Sequence, residues 1–328
     1  MIRKLGLALV FAVLALLSLW AAAALFFDFD VPVLRIPAAI MYLIAVVAIT
    51  VLARKPILAA GPCFAAFALV LAWWVAILPS DDRNWQGDVA ETAFAEVKGN
   101  IVTIHNYRNF QYRTETDYTP HWETKVVDVS EIRGIDLFVD YWGSPWIAHV
   151  VVSFQLANGD YVATSVEARK EVGETYSSVR GFFRQYELIY VVGDERDLVR
   201  VRTNYRKGED VYLYRTRATP ERSQKLFLEY VREINRLHKR PEWYNALTSN
   251  CTTNIAGRMR EAGGTVPWWD WRTIFNGRGD EMMYENGDFA GDLPFAELKS
   301  RALINPAARE ADTAADFSQR IRAGRPGF

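Results

Sequence analysis

Cysteine and histidine are scarce in this sequence, with two cysteines and four histidines among 328 residues. Two cysteines do not make the disulfide framework of a small secreted domain. Cys63 falls in an apolar run and Cys251 in a polar context, so we expect Cys251 to be a free thiol. No CxxC or HExxH pattern occurs, and the usual zinc sites therefore lack their ligands. The sequence indicates neither a metal site nor a structural disulfide.

Two catalytic signatures and an excess of basic charge are also missing. Neither GxSxG nor GxxxxGK[ST] occurs, which removes the commonest serine hydrolase and nucleotide-binding signatures. The chain has 38 Lys and Arg against 39 Asp and Glu, a net charge of -1 and a pI near 6.5. Because nucleic acid binding needs a basic surface, this balance argues against a nucleic acid partner.

Apolar residues are concentrated near the N-terminus, in three nearly uncharged runs. The runs cover residues 5–27, 33–53 and 57–78, and each has the roughly 20 residues needed to cross a bilayer. The apolar core of a signal peptide has only about 7 to 15 residues. Since the first run is longer and two more follow it, we predict an uncleaved membrane anchor over residues 1–79 rather than a cleaved leader.

The basic residues around these runs predict how the chain is oriented. Arg3 and Lys4 precede the first run, and Arg54 and Lys55 fill the second loop. Cytoplasmic loops are enriched in Lys and Arg, so the N-terminus and the second loop are predicted to be cytoplasmic. Three crossings then place residues 80–328 outside the cytoplasm. The prediction is a protein of a Gram-negative inner membrane with a periplasmic domain.

Residues 80–328 combine strand and helix patterns. A short helix is predicted over 88–97, and alternating stretches within 99–153 predict strands of an antiparallel sheet. A helix is predicted over 220–238, beginning at Pro220. A second is predicted over 250–262, where two glycines follow. The predicted class is α+β, with strands first and helices last.

The stretch 148–171 predicts a hairpin whose register follows from its apolar pattern. The predicted core face consists of the even-numbered residues Val150, Val152, Phe154, Val162 and Val166. Paired positions must share parity if these residues form one core face. A three-residue loop at 157–159 with Gly159 in the left-handed conformation satisfies this condition, whereas a two-residue Asn-Gly turn does not. His149 then lies opposite Glu167, on the polar side, at a Cβ separation of roughly 5 Å.

Cys251 begins the second predicted helix. A buried packing role is the alternative to a chemical one, because free cysteine is among the most buried residue types. Ser249 or Asn250 can cap this helix. The unpaired N–H groups of the first turn and the helix dipole then favour a thiolate. The same N–H groups, with Asn250 and Thr252, are candidates for binding an oxyanion or substrate.

A nucleophilic thiol needs a base, and the sequence offers His105, His121, His149 and His238. His238 lies near a helix end and is most simply a solvated or capping residue. His105 and His121 have no acidic partner that register identifies, whereas His149 has Glu167. We therefore predict a triad in which Cys251 is the nucleophile, His149 takes its proton and Glu167 orients the ring.

Basic and aromatic residues outside the triad are candidates for lipid contacts. Arg169, Arg184 and the DERD cluster at 194–197 can contact a phosphate or polar headgroup, and surface ion pairs are the alternative. The TVPWWDW stretch at 265–271 can line an acyl groove or enter the lipid interface, and ordinary core aromatics are the alternative.

Several blocks carry a family resemblance, among them YWGSPWIAHVVVSF at 141–154, FFRQYELIYVVGDERDLV at 182–199 and PEWYNALTSNCTT at 241–253. Over about residues 80–320 the chain resembles the bacterial family named after the N-terminal periplasmic domain of Lnb, a lipoprotein N-acyltransferase. The resemblance implies Cys251 as nucleophile and His149 as base. The order histidine, acid, cysteine is also similar to permuted papain-like (NlpC-like) thiol enzymes. This similarity implies a C-terminal cysteine helix packed on the sheet and supports Glu167 as third member.

The resemblance implies a membrane-anchored, cysteine-dependent acyltransferase. It would move an acyl chain from a phospholipid to a lipoprotein or lipopeptide amine through a Cys251 thioester, with no soluble cofactor. One alternative is a periplasmic thiol hydrolase acting on a peptide, amide or ester. A second is a non-catalytic, membrane-tethered binding domain in which the thiol is incidental.

Overall fold

Two compact units make up the computed structural model, which describes residues 2–264, 266–267, 270–273 and 276–328. One unit comprises Met1–Ser80 with Tyr176–Glu187, and the other Asp81–Thr175 with Leu188–Phe328. The sequence predicted a contiguous anchor over 1–79 and a contiguous domain over 80–328. In the structure, the segment Tyr176–Glu187 is instead grouped with the N-terminal helices.

The first unit is built on three long apolar helices, α1 (Ile2–Asp28), α2 (Pro32–Leu52) and α3 (Pro56–Ala76). Each contains a stretch long and apolar enough to cross a membrane, namely Leu5–Asp28, Pro32–Leu52 and Ile57–Ala76. Many of their large apolar side chains are exposed, as lipid-facing helices require. The three predicted apolar segments are therefore present as helices.

An eight-stranded sheet forms the framework of the second unit. Its strands and those of a small two-stranded sheet are β1 (Phe94–Lys98), β2 (Ile101–Arg108), β3 (Gln111–Tyr112), β4 (Tyr118–Thr119), β5 (Trp122–Asp128), β6 (Ile132–Trp142), β7 (Ala148–Leu156), β8 (Tyr161–Arg169), β9 (Glu187–Gly193) and β10 (Glu209–Arg215). The large sheet has the order β1-β2-β9-β8-β7-β6-β10, and β5 also pairs with β2. β2 and β9 pair in parallel, whereas β6, β7, β8 and β10 are paired antiparallel.

Short and long helices cover this sheet. They are α4 (Glu195–Leu198), α5 (Pro220–Lys239), α6 (Cys251–Glu261), α7 (Gly279–Glu285), α8 (Phe295–Ala302), α9 (Asn305–Glu310) and α10 (Phe317–Arg320), with a π-helical turn at Val201–Tyr205. The predicted helices over 220–238 and 250–262 are confirmed as α5 and α6. The α+β class is confirmed as well, but the predicted antiparallel sheet is instead mixed, because β2 and β9 pair in parallel.

The short helix predicted over 88–97 is wrong. The structure has a 3-10 turn at Gly87–Val89 followed by β1, which pairs with β2. Asn235 of α5 also holds Ala95, accepting its N–H at 2.7 Å and donating to its carbonyl at 2.8 Å. These long-range partners satisfy the backbone in an extended form, so pairing outweighs the local helical pattern.

The register predicted for the β7–β8 hairpin is confirmed. Val151 pairs with Ser165 and Gln155 with Tyr161. The loop closes with a hydrogen bond of 2.9 Å from the Leu156 N–H to the carbonyl of Asp160. Gly159 has a φ of 86°, the left-handed conformation that a three-residue loop requires of its glycine. When this register is continued along the two strands, His149 lies opposite Glu167.

Both faces of the hairpin are buried, which the sequence pattern did not indicate. On the even-numbered face, Phe154 packs against Phe227 of α5 with ring centroids 5.2 Å apart. On the odd-numbered face, Val151 joins a second core cluster that includes Phe317 and Ile321 from the C-terminal region. The side predicted to be polar is therefore covered by helices, and its polar groups need partners within the protein.

Candidate active site

Cys251 is the first residue of α6, and its free thiol is buried. Asn250 caps the helix: its side chain accepts from the Thr253 N–H at 2.9 Å, and Thr253 Oγ1 accepts from the Asn250 N–H at 2.9 Å. The first helical hydrogen bond runs from Asn254 N–H to Asn250 O at 3.1 Å. The N–H groups of Cys251 and Thr252 thus belong to the open first turn, whose dipole favours an anion.

His149, on β7, is held by two groups of β8. Its Nε2 lies 3.2 Å from Glu167 Oε1 and 2.6 Å from Ser165 Oγ. The Ser165 hydroxyl donates to the same Glu167 oxygen at 2.6 Å, so the histidine Nε2–H is the donor in both of its own contacts. This arrangement fixes the ring and leaves Nδ1 for another partner.

Cys251 lies beside the same ring, and each of the two side chains shifts the pKa of the other. Burial lowers the pKa of His149, but the charge of Glu167 and the pairing of the ring with Cys251 and Glu167 as acceptors raise it to about 10. For the Cys251 thiol, burial acts in the other direction and raises the pKa. The neighbouring His149, through pairing and charge, nevertheless holds this pKa below its usual value. The site therefore favours a thiolate–imidazolium pair.

Glu167 has a second cationic partner that the sequence analysis missed. Arg202 Nη2 donates to Glu167 Oε1 at 2.6 Å, and Arg202 Nε lies 3.4 Å from Asp140 Oδ2. Although burial raises the pKa of Glu167, the charges of His149 and Arg202 bring it well below its usual value. The carboxylate is therefore ionised at neutral pH, and it faces the ring as an anion.

Asp140 completes this buried network from the neighbouring strand. It pairs with His149 in the β6–β7 register. Burial and the nearby Glu209 raise the pKa of Asp140 to about 8, against the opposing effect of Arg202 and His149. The sequence offered no way to find Asp140, because the 143–147 connection has no turn signature that fixes the β6–β7 register.

Asn276 also reaches the site and was missed. Its Nδ2 donates to Thr252 Oγ1 at 2.8 Å and lies 3.7 Å from Cys251 Sγ, and its Oδ1 accepts from the Ala148 N–H at 2.9 Å. Gly277 permits this approach, since a side-chain carbon there would collide with the Pro145 carbonyl. The only sequence signal was an Asn-Gly pair, which is too common to indicate a site.

The other predicted binding residues lie in different surroundings. Asn250 caps α6, and Thr252 Oγ1 is 3.9 Å from Cys251 Sγ. Arg169 is buried, donating to the carbonyls of Val89 and Ala90. Arg184 belongs to the other unit, described below. A headgroup role for the two arginines stays a prediction.

The DERD cluster is structural at two of its four positions. Glu195 and Asp197 are fully buried. Glu195 pairs with Arg322 at 2.6 Å, and Asp197 pairs with Arg108 at 2.8 Å. For these two residues, both the predicted headgroup contact and the alternative of surface ion pairs are wrong. Of the 265–271 stretch, positions 265, 268 and 269 lie outside the described residues.

The remaining histidines have partners that register did not reveal. His105 lies 3.6 Å from Glu96, and His121 lies 3.9 Å from Glu123. His238 Nδ1 is 2.8 Å from Thr92 Oγ1. His121 is 57% exposed, against 10% for the side chain of His149. The pair of His121 and Glu123 is therefore a more exposed counterpart of the pair of His149 and Glu167.

An apolar crevice begins beside Thr252 and Asn276, next to the thiol. Side chains from β6, β7, α6 and α7 line most of it, including Leu137, Val150, Ile255, Ala256, Met259 and Met283. An apolar group attached to the sulfur would find matching surface here.

Fold and site together define a membrane-anchored α+β protein with a buried cysteine beside a buried histidine, which a partly exposed glutamate holds. The family model of the Lnb N-terminal periplasmic domain matches residues 118–277, a range that includes all three. This segment therefore matches the family that the sequence blocks indicated. Searches of curated proteins and of solved structures found no match.

Proposed function

We propose that this protein is a cysteine-dependent acyltransferase at the periplasmic face of a Gram-negative inner membrane. It would take an acyl chain from a phospholipid onto Cys251 and pass it to the N-terminal amine of a lipoprotein. The observation that carries the proposal is the placement of Cys251, at the start of α6, beside a His149 ring that Glu167 holds and that lowers the pKa of the thiol. A thiol paired in this way is a nucleophile at neutral pH.

The first half-reaction loads the thiol. The Cys251 sulfur attacks the carbonyl carbon of the ester, a C–S bond forms, and the carbonyl oxygen becomes an oxyanion. As the C–O bond breaks, the His149 imidazolium gives its proton to the departing alkoxide. The products are a Cys251 thioester and a lysophospholipid.

The second half-reaction unloads it. A neutral amine attacks the thioester carbon, His149 accepts the amine proton, and the C–S bond breaks. An amide forms and the thiolate–imidazolium pair is restored. Both halves need only protein groups and the two substrates, so the proposal includes no cofactor.

The oxyanion requires donors beside the sulfur. The N–H groups of Cys251 and Thr252, in the open first turn of α6, and the Nδ2 of Asn276, 3.7 Å from the sulfur, are the candidates. Asn250 acts instead by holding the helix start, because its side-chain oxygen already accepts from Thr253.

The apolar lining of the crevice, whose volume is ≈ 40 Å³, supports part of an acyl chain rather than a peptide as the bound group. Among the described residues that line it, only Thr252, Asn276 and Asp280 interrupt the apolar surface, and a peptide backbone there would leave its polar groups without partners. The family resemblance, which implies lipoprotein N-acylation, points the same way. We also propose that the domain is related in fold to permuted papain-like enzymes. The packing of the cysteine helix α6 against β7 and β8 supports this relationship.

Reaction products distinguish transfer from hydrolysis. Full-length protein is placed in lipid nanodiscs containing a phospholipid of one defined chain length, a diacylated lipopeptide with a free N-terminal amine is added, and products are read by mass spectrometry. We expect a triacylated amide from wild type, none from Cys251→Ser or His149→Asn, and unchanged yield from His121→Asn, the exposed control. Free fatty acid without amide would identify a hydrolase instead, and no product at all would favour a binding domain.

A further inference from the structure

The segment Tyr176–Glu187 packs with the N-terminal helices, although about a hundred residues separate it from them in sequence. The ring of Phe183 stacks on Phe27, with centroids 4.7 Å apart, and on Trp20, at 6.4 Å. Both partners lie in α1, and Phe27 is its penultimate residue. Seven residues span two helical turns, so Phe183 lies at the depth of the last two turns of a helix that can cross the membrane.

Polar contacts hold the same segment to the helix ends. Gln185 Nε2 donates to the Phe27 carbonyl at 2.9 Å and to Asp28 Oδ1 at 2.7 Å. The Arg184 guanidinium lies 4.4 Å from the centroid of the Trp74 ring, and Trp74 Nε1 donates to Asp28 Oδ2 at 2.7 Å. Tryptophan at the end of a span, with a polar partner, is typical of the membrane–water interface. The segment therefore lies at interface depth.

Two large apolar side chains of this segment are exposed beside the helices. Val179 is 56% exposed and Phe182 is 37% exposed. Phe182 immediately precedes Phe183, whose ring is buried against α1. The exposed side chains Val179 and Phe182 therefore belong to the same unit as the exposed apolar side chains of the three helices.

We propose that Tyr176–Glu187 is an interfacial membrane element, with Val179 and Phe182 inserted among phospholipids at the boundary between headgroups and acyl chains. The bilayer is the expected partner because the segment packs on helices long and apolar enough to cross a membrane, and the exposed apolar side chains of those helices require lipid. The proposal rests on residues 176–187 and on the helices alone. Its outcome is therefore independent of whether Cys251 transfers acyl groups.

Site-directed fluorescence quenching tests the insertion. Single cysteines at Val179→Cys and Phe182→Cys are made in the full-length Cys63→Ala, Cys251→Ala background, labelled with an environment-sensitive fluorophore, and placed in phosphatidylcholine nanodiscs, whose two faces are open to solution. One quencher is a nitroxide on the upper acyl chain of a lipid, and the other is aqueous iodide. Val126→Cys, on β5 of the other unit and 59% exposed, is the matched control.

We expect the lipid nitroxide to quench labels at 179 and 182 and to leave the label at 126 unchanged. Iodide quenching at 179 and 182 should be about threefold weaker than at 126, because the headgroup boundary excludes the anion. A label at either position that iodide quenches as strongly as at 126, or that the lipid nitroxide does not quench, overturns the proposal.

Discussion

Nε2 of His149 lies 3.2 Å from Oε1 of Glu167 across the paired strands β7 and β8. The same oxygen accepts from Arg202 at 2.6 Å, so the carboxylate is fixed from two sides. An imidazolium facing a fixed, ionised carboxylate keeps its proton more readily, and it in turn stabilises a thiolate at Cys251. The reactivity of the thiol should therefore depend on a residue that does not touch the sulfur.

Replacing Glu167 by glutamine tests that dependence. The amide keeps the shape of the side chain but removes the charge that supports the imidazolium, so the pKa of the Cys251 thiol should rise. The substitution also removes the direct repulsion between Glu167 and the thiolate, which by itself would lower the pKa of the thiol. This repulsion is weaker than the two effects by which His149 lowers that pKa. Each unit of rise lowers the thiolate fraction about tenfold.

The measurement is the alkylation rate of Cys251 by iodoacetamide between pH 5 and 10, in a Cys63→Ala background. Glu123→Gln, which changes the exposed pair with His121, is the control and should leave the profile unchanged. An identical profile in the Glu167 and Glu123 variants would show that Glu167 does not tune the thiol.

The raised pKa of His149 predicts a pH-dependent contribution to stability. Its folded pKa of about 10 exceeds the ordinary value of about 6.5. The stabilisation of the folded state by the charged His149 is therefore fully present below about pH 6.5. It is lost as the pH rises through the folded pKa of His149. The Cys251 thiol has a lowered pKa, so its contribution to stability has the opposite pH dependence. A Cys251→Ser background removes this contribution and leaves that of His149.

Thermal unfolding in detergent between pH 6 and 10 measures this effect. Cys251→Ser should lose more stability with rising pH than Cys251→Ser combined with His149→Gln, because only the first retains the imidazolium and its carboxylate. Parallel curves for the two proteins would rule out the ion pair.

The cap at Asn250 predicts a local stability effect. Asn250→Ala removes the acceptor of the Thr253 N–H and should cost about 1 kcal/mol. Asn250→Asp keeps the acceptor and should recover most of this loss. Urea denaturation of full-length protein in detergent, followed by circular dichroism, gives the difference. Equal midpoints for the alanine and aspartate variants would mean that the cap does not contribute.

The crevice predicts a dependence on acyl-chain length. Ala256→Leu fills part of it, so the preferred chain should become shorter. Each methylene no longer buried costs about 0.8 kcal/mol, or about fourfold in relative rate. Competition between two phospholipids of different chain length provides the ratio of amide products. A variant that is merely destabilised lowers both products in parallel, and an unchanged ratio would place the chain elsewhere.

The sequence predicted those parts of the site that local pattern controls. Parity along 148–171 fixed His149 against Glu167, and the polar residues before Cys251 indicated the cap. Arg202 and Asn276 reach the site from distant segments whose own pattern shows no chemistry, so only tertiary structure reveals them. The burial of Glu195 and Asp197 escaped notice for the same reason. Their cationic partners are 127 and 89 positions away in sequence.

The mass of intact protein after exposure to phospholipid tests the central claim most directly. Full-length wild type in nanodiscs of one defined phospholipid, without an amine acceptor, should gain the mass of one acyl chain. Tandem spectrometry should place that mass on Cys251. Cys251→Ser should show no thioester, and hydroxylamine should remove the wild-type adduct. A wild-type mass that never changes, while the lipopeptide is still converted to its amide, would contradict the thioester at Cys251.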